Sequence, residues 1–133
     1  MDIKILVERL LTMDGEIQNL FTEIGYEKKF QITNLEFDEE NPDEYMMYRE
    51  FSSICSHLDY IHTVLDYLKK PVTHVGVIHF NSNGVYELDG TVLKKDDIVE
   101  IVCMDEEGKK FYWYPLSVSD RKNLDGENAR IRW

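Results

Sequence analysis

Cysteine and long hydrophobic runs are both scarce in this 133-residue chain, and each shortage excludes a class of protein. The two cysteines, Cys55 and Cys103, are too few for a disulfide scaffold, so we expect two free thiols in a reducing compartment. No stretch approaches the ~20 apolar residues that a membrane-spanning helix needs, so we expect no membrane partner. The first residues, MDIKILVERLL, carry charges inside their apolar stretch and lack a small-residue cleavage site, which argues against a signal peptide. The sequence therefore predicts a cytoplasmic protein.

Catalytic signatures are also missing. The chain has no phosphate-binding glycine loop, no His-Glu-x-x-His motif and no nucleophile elbow, so we expect neither an enzyme nor a bound cofactor. One alternative stays open, because Cys55, Asp59 and His62 stand at positions i, i+4 and i+7 of a helical pattern and share one face. With a further ligand these residues would bind zinc. A packed thiol and a partly buried histidine are the favoured explanation, because the recurrent zinc spacings are absent.

Positive charge is in short supply. The chain has 15 Lys and Arg against 26 Asp and Glu, for a net charge of −11. The imbalance is uneven, since residues 1–72 hold 15 acidic and 7 basic residues, net −8. Such a surface repels nucleic acid, so direct DNA or RNA binding is not expected, whereas a protein partner with a basic surface would be attracted. The simpler explanation is that the charge keeps a small protein soluble.

Residues 1–72 carry two helical patterns, in which apolar residues recur at alternating steps of three and four. Asp2 is the predicted N-cap of the first helix and Gly25 its C-cap. Asn41 is the predicted N-cap of the second helix, with Glu44 completing a capping box. Two matched stripes predict an antiparallel helical hairpin over this domain. The stripes comprise Ile3, Leu6, Leu10, Met13, Ile17, Leu20 and Ile24 in the first helix, and Met47, Phe51, Ile54, Leu58, Ile61, Leu65 and Leu68 in the second.

A dense acidic run lies between the two patterns and enters the second. One explanation is a solvated loop whose carboxylates also favour the N-terminus of the following helix. The other is a cluster that imitates phosphates and meets a Lys- and Arg-rich groove. Two tyrosines then either cover a sheet or form an exposed aromatic rim for a partner. The candidate partner-binding residues are Glu36, Asp38, Glu39, Glu40, Asp43, Glu44, Tyr45 and Tyr48.

From residue 73 the period of the pattern changes to two, which indicates strands. Asn83-Gly84, Asp89-Gly90 and Asp125-Gly126 mark turns between the apolar runs. Five short strands in residues 73–133 predict a small five-stranded antiparallel curled sheet or SH3-like barrel, and residues 26–40 are expected to form a loop. The predicted fold class is α+β. The predicted strands are His74–Phe80, Val85–Leu88, Ile98–Met104, Lys110–Leu116 and Ala129–Trp133.

The chain from Gly76 to Arg132 resembles an uncharacterised small β-domain family of Gram-positive bacteria, often carried on prophages and conjugative elements. The resemblance rests on the order GVIHF, NGVYELDG, DDIVEIV, an aromatic strand and LDGENARIR. The run Lys109–Leu116 is more aromatic than that pattern, and residues 1–72 lie outside it. Small acidic proteins of such elements include anti-CRISPR proteins that inhibit Cas9, often by occupying sites for DNA or guide RNA. The resemblance thus implies a protein of a mobile element that acts in a bacterial host cell, and it implies no particular chemical activity.

These observations lead to one main hypothesis and two alternatives. The main hypothesis is a non-enzymatic acidic inhibitor that binds a nucleic-acid-handling protein, with Cas9 as the first candidate. The first alternative is a zinc-supported protein built on the cysteine, aspartate and histidine of the second helix. The second alternative is an adaptor that self-associates through its helical hairpin. The sequence does not decide the oligomeric state.

Overall fold

The computed structural model describes residues 1–133 and has the α+β composition that the sequence predicts. The chain divides into two compact units, Met1–Lys69 and Lys70–Trp133, where the sequence places the boundary after residue 72. No helix combines the length and the apolar character that crossing a bilayer requires.

The first unit begins with α1, Ile3–Ile24, whose predicted caps are both confirmed. The Asp2 carboxylate accepts a hydrogen bond from the Lys4 N–H at 2.7 Å, which satisfies one of the unpaired donors of the first turn. Gly25 ends the helix in the left-handed conformation at φ 68°, and its N–H donates to the carbonyls of the last turn. Glycine is suited to this position because it has no Cβ to oppose a positive φ.

A two-stranded hairpin follows, where the sequence predicts only a loop. Strands β1, Tyr26–Lys28, and β2, Gln31–Ile32, pair antiparallel. Phe30 lies in the turn between them at φ 64°, an unusual value for an aromatic residue. The prediction of a loop was wrong here, because strands of three and two residues are too short to show a periodicity.

The second helix, α2, spans Pro42–Lys69. The Asn41 side-chain oxygen accepts from the N–H groups of Asp43 at 3.0 Å and Glu44 at 3.4 Å, which confirms the predicted N-cap. The Asn41 N–H donates to the Asp38 carbonyl at 3.1 Å, so the reciprocal bond of a capping box is replaced by a backbone turn.

The two helices contact each other through a seam that includes polar residues. His62 Nδ1 lies 2.8 Å from Asp14 Oδ2, and Asp14 is the most deeply buried polar residue of α1. Phe21 of α1 and Cys55 of α2 are buried as well. Asp14 meets His62, whereas the later α1 residues Gln18 and Phe21 share a cleft with the earlier α2 residue Asp59, which is the order of an antiparallel pair. Leu10 and Ile17 of α1 also line a small cavity with Leu58 and Leu65 of α2.

The second unit is antiparallel as predicted, but it contains two open sheets, so the prediction of a single five-stranded curled sheet or SH3-like barrel was wrong in its strand count and in the closed barrel. A four-stranded sheet has the order β3-β9-β7-β8, and a three-stranded sheet the order β4-β5-β6; with the first hairpin, the chain has nine strands. The core of this unit consists of Ile78, Leu88, Leu93, Val99, Ile101, Val118, Leu124, Ala129 and Ile131. The strands are β3 Val72–Val77, β4 His79–Phe80, β5 Tyr86–Leu88, β6 Thr91–Val92, β7 Ile98–Met104, β8 Phe111–Ser117 and β9 Asn128–Arg132, with a 3-10 turn at Val118–Asp120.

The difference from a barrel arises at Ile78, inside the predicted strand His74–Phe80. The Ile78 N–H donates to the Glu127 carbonyl, and its own carbonyl accepts from the Gly126 N–H, so both backbone groups bond to the loop before β9. This residue separates β3, which pairs with β9, from β4, which pairs with β5. One predicted strand therefore belongs to two sheets.

Candidate partner-binding surface

The acidic run forms the connection into α2 and the first turn of that helix. Five of its six carboxylates are exposed and Glu44 is half-buried. Asp38 Oδ1 accepts from the Glu40 N–H at 2.9 Å, which closes a turn and brings the run close to the helix N-terminus. None of the six side chains forms an ion pair within the chain. Their charge is therefore available to another molecule.

An aromatic cluster stands beside these carboxylates and holds the run against α2. The Phe37 ring stacks on the Tyr48 ring, with centroids 4.3 Å apart and planes 14° apart. Tyr45 lies 6.1 Å from Tyr48 and 6.4 Å from Phe37, and Phe30 lies 6.2 Å from Tyr48. Sequence reasoning singled out both tyrosines and missed the two phenylalanines. The signal for Phe37 was its position as an aromatic residue inside an otherwise acidic run.

The acidic run and the stacked rings together make up what we call the 36–48 surface. A shallow cleft of about 150 Å³ opens in it. The cleft has an apolar floor with two carboxylates, a combination that accommodates the aliphatic stem and the charged end of one Lys or Arg side chain. The surface is defined by Glu36, Phe37, Asp38, Glu39, Glu40, Asp43, Glu44, Tyr45 and Tyr48, and the cleft is lined by Leu35, Glu36, Phe37, Glu44, Met47, Tyr48 and Phe51.

The rings of this cluster already attract cations of the chain itself. The Arg49 guanidinium lies 5.2 Å from the Phe30 centroid and 5.9 Å from the Tyr45 centroid, and the Lys29 ammonium lies 5.2 Å from Phe30. These distances are within the range of cation–π attraction. The same aromatic faces, with carboxylates beside them, are chemically suited to cationic side chains of a partner.

The three zinc candidates of α2 occupy different surroundings. Cys55 is buried, and burial raises the pKa of its thiol, which disfavours the thiolate that a metal requires. His62 is hydrogen-bonded to Asp14. Burial raises the pKa of the Tyr26 phenol, and the negative charge of the nearby Asp59 raises it further. The chain contains no group of three or more His, Cys, Asp or Glu residues placed to hold a metal ion.

A buried charge cluster in the second unit is the other concentration of ionic groups. Glu100 is 3% exposed, and its two oxygens accept from Arg130 Nε and Arg132 Nε, each at 2.6 Å. The Arg130 guanidinium lies 4.4 Å from the centroid of Trp113. Glu100 and Arg130 face each other on the paired strands β7 and β9. The cluster thus links two strands of the sheet.

Comparison with known proteins gives no relative: no family model, curated protein or solved structure matches this chain. The resemblance of residues 76–132 to a family of mobile elements therefore stays a prediction.

Proposed function

We propose that this protein is a non-enzymatic inhibitor that binds the basic surface of a nucleic-acid-handling protein through its 36–48 surface. The observation that carries the proposal is that six carboxylates without an ion-pair partner stand beside an aromatic stack that holds them in place. The first partner to test is Cas9, and the site of action is the cytoplasm of a bacterial host cell.

Electrostatics supports a nucleic-acid groove as the target. Duplex DNA carries about one negative charge per 1.7 Å of axis, so a protein that takes its place needs closely spaced carboxylates on a firm support. In this chain the support is the Phe37–Tyr48 stack together with the Asp38 turn. Such charges speed association and select basic partners, and they lose their effect as salt rises.

The aromatic cluster supplies what charge alone lacks. Exposed ion pairs contribute roughly 0–1 kcal/mol each, because water and salt screen them. Aromatic residues that enter a desolvated pocket are the usual source of large single contributions to binding. Tyr45, which is exposed at the start of α2, is available as such an anchor, and Tyr48 supports the surface through its stack on Phe37.

The test begins with gel filtration of the purified protein with Cas9, with and without guide RNA, at low and moderate salt. We expect co-elution that weakens as the salt concentration rises. The affinity is then compared for Glu39→Lys/Glu40→Lys and for Glu106→Lys/Glu107→Lys. Both variants change the charge equally and replace neighbouring exposed residues, but the second pair lies in the other unit. We expect a loss of at least about tenfold for the first variant and little change for the second.

The aromatic contribution has its own matched pair. Tyr45→Ala should weaken binding by on the order of tenfold or more, whereas Tyr60→Ala, at an exposed tyrosine elsewhere on α2, should not. Equal effects of the two charge variants would show that net charge acts without a site. If Cas9 does not co-elute in either form, the choice of Cas9 is wrong. A pull-down of host proteins with the same variants then tests the 36–48 surface itself. If the captured partner binds Glu39→Lys/Glu40→Lys as tightly as the unchanged chain, the proposed role of this surface is contradicted.

A further inference from the structure

The apolar stripes of both helices remain largely open to solvent. Nine of their fourteen members are between 44% and 73% exposed. A helix that packs in a globular core turns its stripe inward, so this arrangement needs an explanation. The nine residues are Ile3, Leu6, Met13 and Leu20 on α1, and Met47, Phe51, Ile54, Ile61 and Leu68 on α2.

Most stripe members are exposed because the helices meet along a face that takes in only part of each stripe, including Leu10 and Ile17 of α1 and Leu58 and Leu65 of α2. The seam between them contains the Asp14–His62 pair together with Cys55 and the fully buried Ser52. The small cavity between the helices, of about 110 Å³, is also lined by Met13 of α1 and Ile61 of α2, so both stripes border the same side of the helix pair.

The open face is large enough for a stable interface. With a full side chain of this size presenting on the order of 200 Å², nine residues about half exposed offer roughly 900 Å². The largest apolar patch of a typical monomer is about 300–600 Å². A standard protein interface removes about 800 Å² from each partner. The face therefore has the area that one side of a dimer requires.

We propose that a second copy of this chain covers this face, so that two helix pairs form a two-fold symmetric four-helix arrangement. Apolar residues at alternating steps of three and four on each helix are the pattern that fills the core of a four-helix bundle. Both helices supply such a stripe, so the same patch can meet itself, as a two-fold interface demands. The nine residues carry no charge, which fits a second copy better than a basic partner.

This proposal does not depend on the proposed function, and salt separates the two. Residues 1–72 carry a net charge of −8, so two copies repel each other and their association should hold or tighten as salt screens the charge. Binding of the 36–48 surface to a basic partner should weaken under the same conditions. Met47 and Phe51 belong both to the open face and to the lining of the cleft in the 36–48 surface, so the opposite salt dependence and variants outside this overlap distinguish failure of one proposal from failure of the other.

Sedimentation velocity of the full chain over a wide concentration range tests the proposal. We expect the 15.8 kDa chain to sediment as a dimer, with a Kd for dimer dissociation of about 10 μM or lower. Ile54→Glu on α2 and Met13→Glu on α1 should each raise the Kd about 100-fold, because a two-fold interface contains every substitution twice. Tyr60→Glu, on α2 but outside the stripe, should leave the Kd unchanged.

Far-UV circular dichroism accompanies each variant, and two variants on different helices guard against one that does not fold. All three substituted residues are at least half exposed, so the helices should form in every case. A chain that stays monomeric at every concentration would overturn the proposal. A dimer that both stripe variants leave intact would overturn it as well, because its interface would then lie elsewhere.

Discussion

Replacing Glu100 by glutamine should destabilise the second unit far more than the same change at Glu127. Glu100 is 3% exposed and bonds two arginines whose side chains are about a fifth exposed. The substitution preserves the shape of the side chain, but it leaves two guanidinium charges against a neutral amide. Breaking a buried ion pair costs roughly 3–5 kcal/mol, and the partial exposure of the arginines lowers our expectation to about 2–3 kcal/mol. In a domain of 60–100 residues this corresponds to a fall in Tm of roughly 10–20 °C.

The control has the same chemistry without the burial. Glu127 lies 3.0 Å from Arg121, and their side chains are 31% and 45% exposed, so Glu127→Gln should cost below about 1 kcal/mol. Urea unfolding followed by tryptophan fluorescence reports on this unit alone, because both tryptophans, Trp113 and Trp133, belong to it. The midpoint is the quantity to compare, since Arg130 lies against Trp113 and the substitution can change its emission. Equal midpoints for the two variants would refute the argument that burial makes the Glu100 cluster stabilising.

Three further predictions concern the first unit. Asn41→Ala should lower its stability by about 1 kcal/mol through loss of the N-cap bonds, measured as helix melting at 222 nm. In the same assay Gly15→Ala should raise stability by up to about 1 kcal/mol, because a Cβ there meets open space, whereas Gly25→Ala should lower it through strain at positive φ. Burial raises the pKa of Cys55, so in a Cys103→Ser variant its thiol should react with a thiol reagent more slowly in the folded chain than in urea. Because the unfolded chain loses this proton at lower pH than the folded chain, the free energy of unfolding should decline at alkaline pH.

Local signals in the sequence were sufficient for the features that are themselves local. The caps at Asp2, Gly25 and Asn41 depend on groups within a few residues along the chain, and β7 matches its predicted bounds because its apolar run is bounded by aspartates and pairs with β8 over its whole length. The break at Ile78 could not be predicted in this way. Its cause is a pair of hydrogen bonds to residues 126 and 127, and no proline or Asn-Gly pair marks the break within residues 74–80.

The candidate surface was predicted in its composition and missed in its organisation. The acidic run and the two tyrosines are visible in the chain, since they are consecutive or one helical turn apart. The stack of Phe37 on Tyr48 joins a connecting segment to a helix, and no periodicity describes such a segment. The same limit applies to the Asp14–His62 pair, whose members are 48 residues apart on different helices.

The alternating stripes show why periodicity identifies a face without identifying what covers it. A hydrogen bond to a charged group contributes about 1.5–3 kcal/mol, which is the scale of the Asp14–His62 contact in the seam. Covering roughly 900 Å² of apolar surface at about 25 cal/mol per Å² is worth on the order of 20 kcal/mol, before the entropy of association is subtracted. The stripes therefore hold most of the free energy that the first unit can still gain. Periodicity identifies both stripes, and the members that the neighbouring helix leaves uncovered are the ones that we propose a second copy covers.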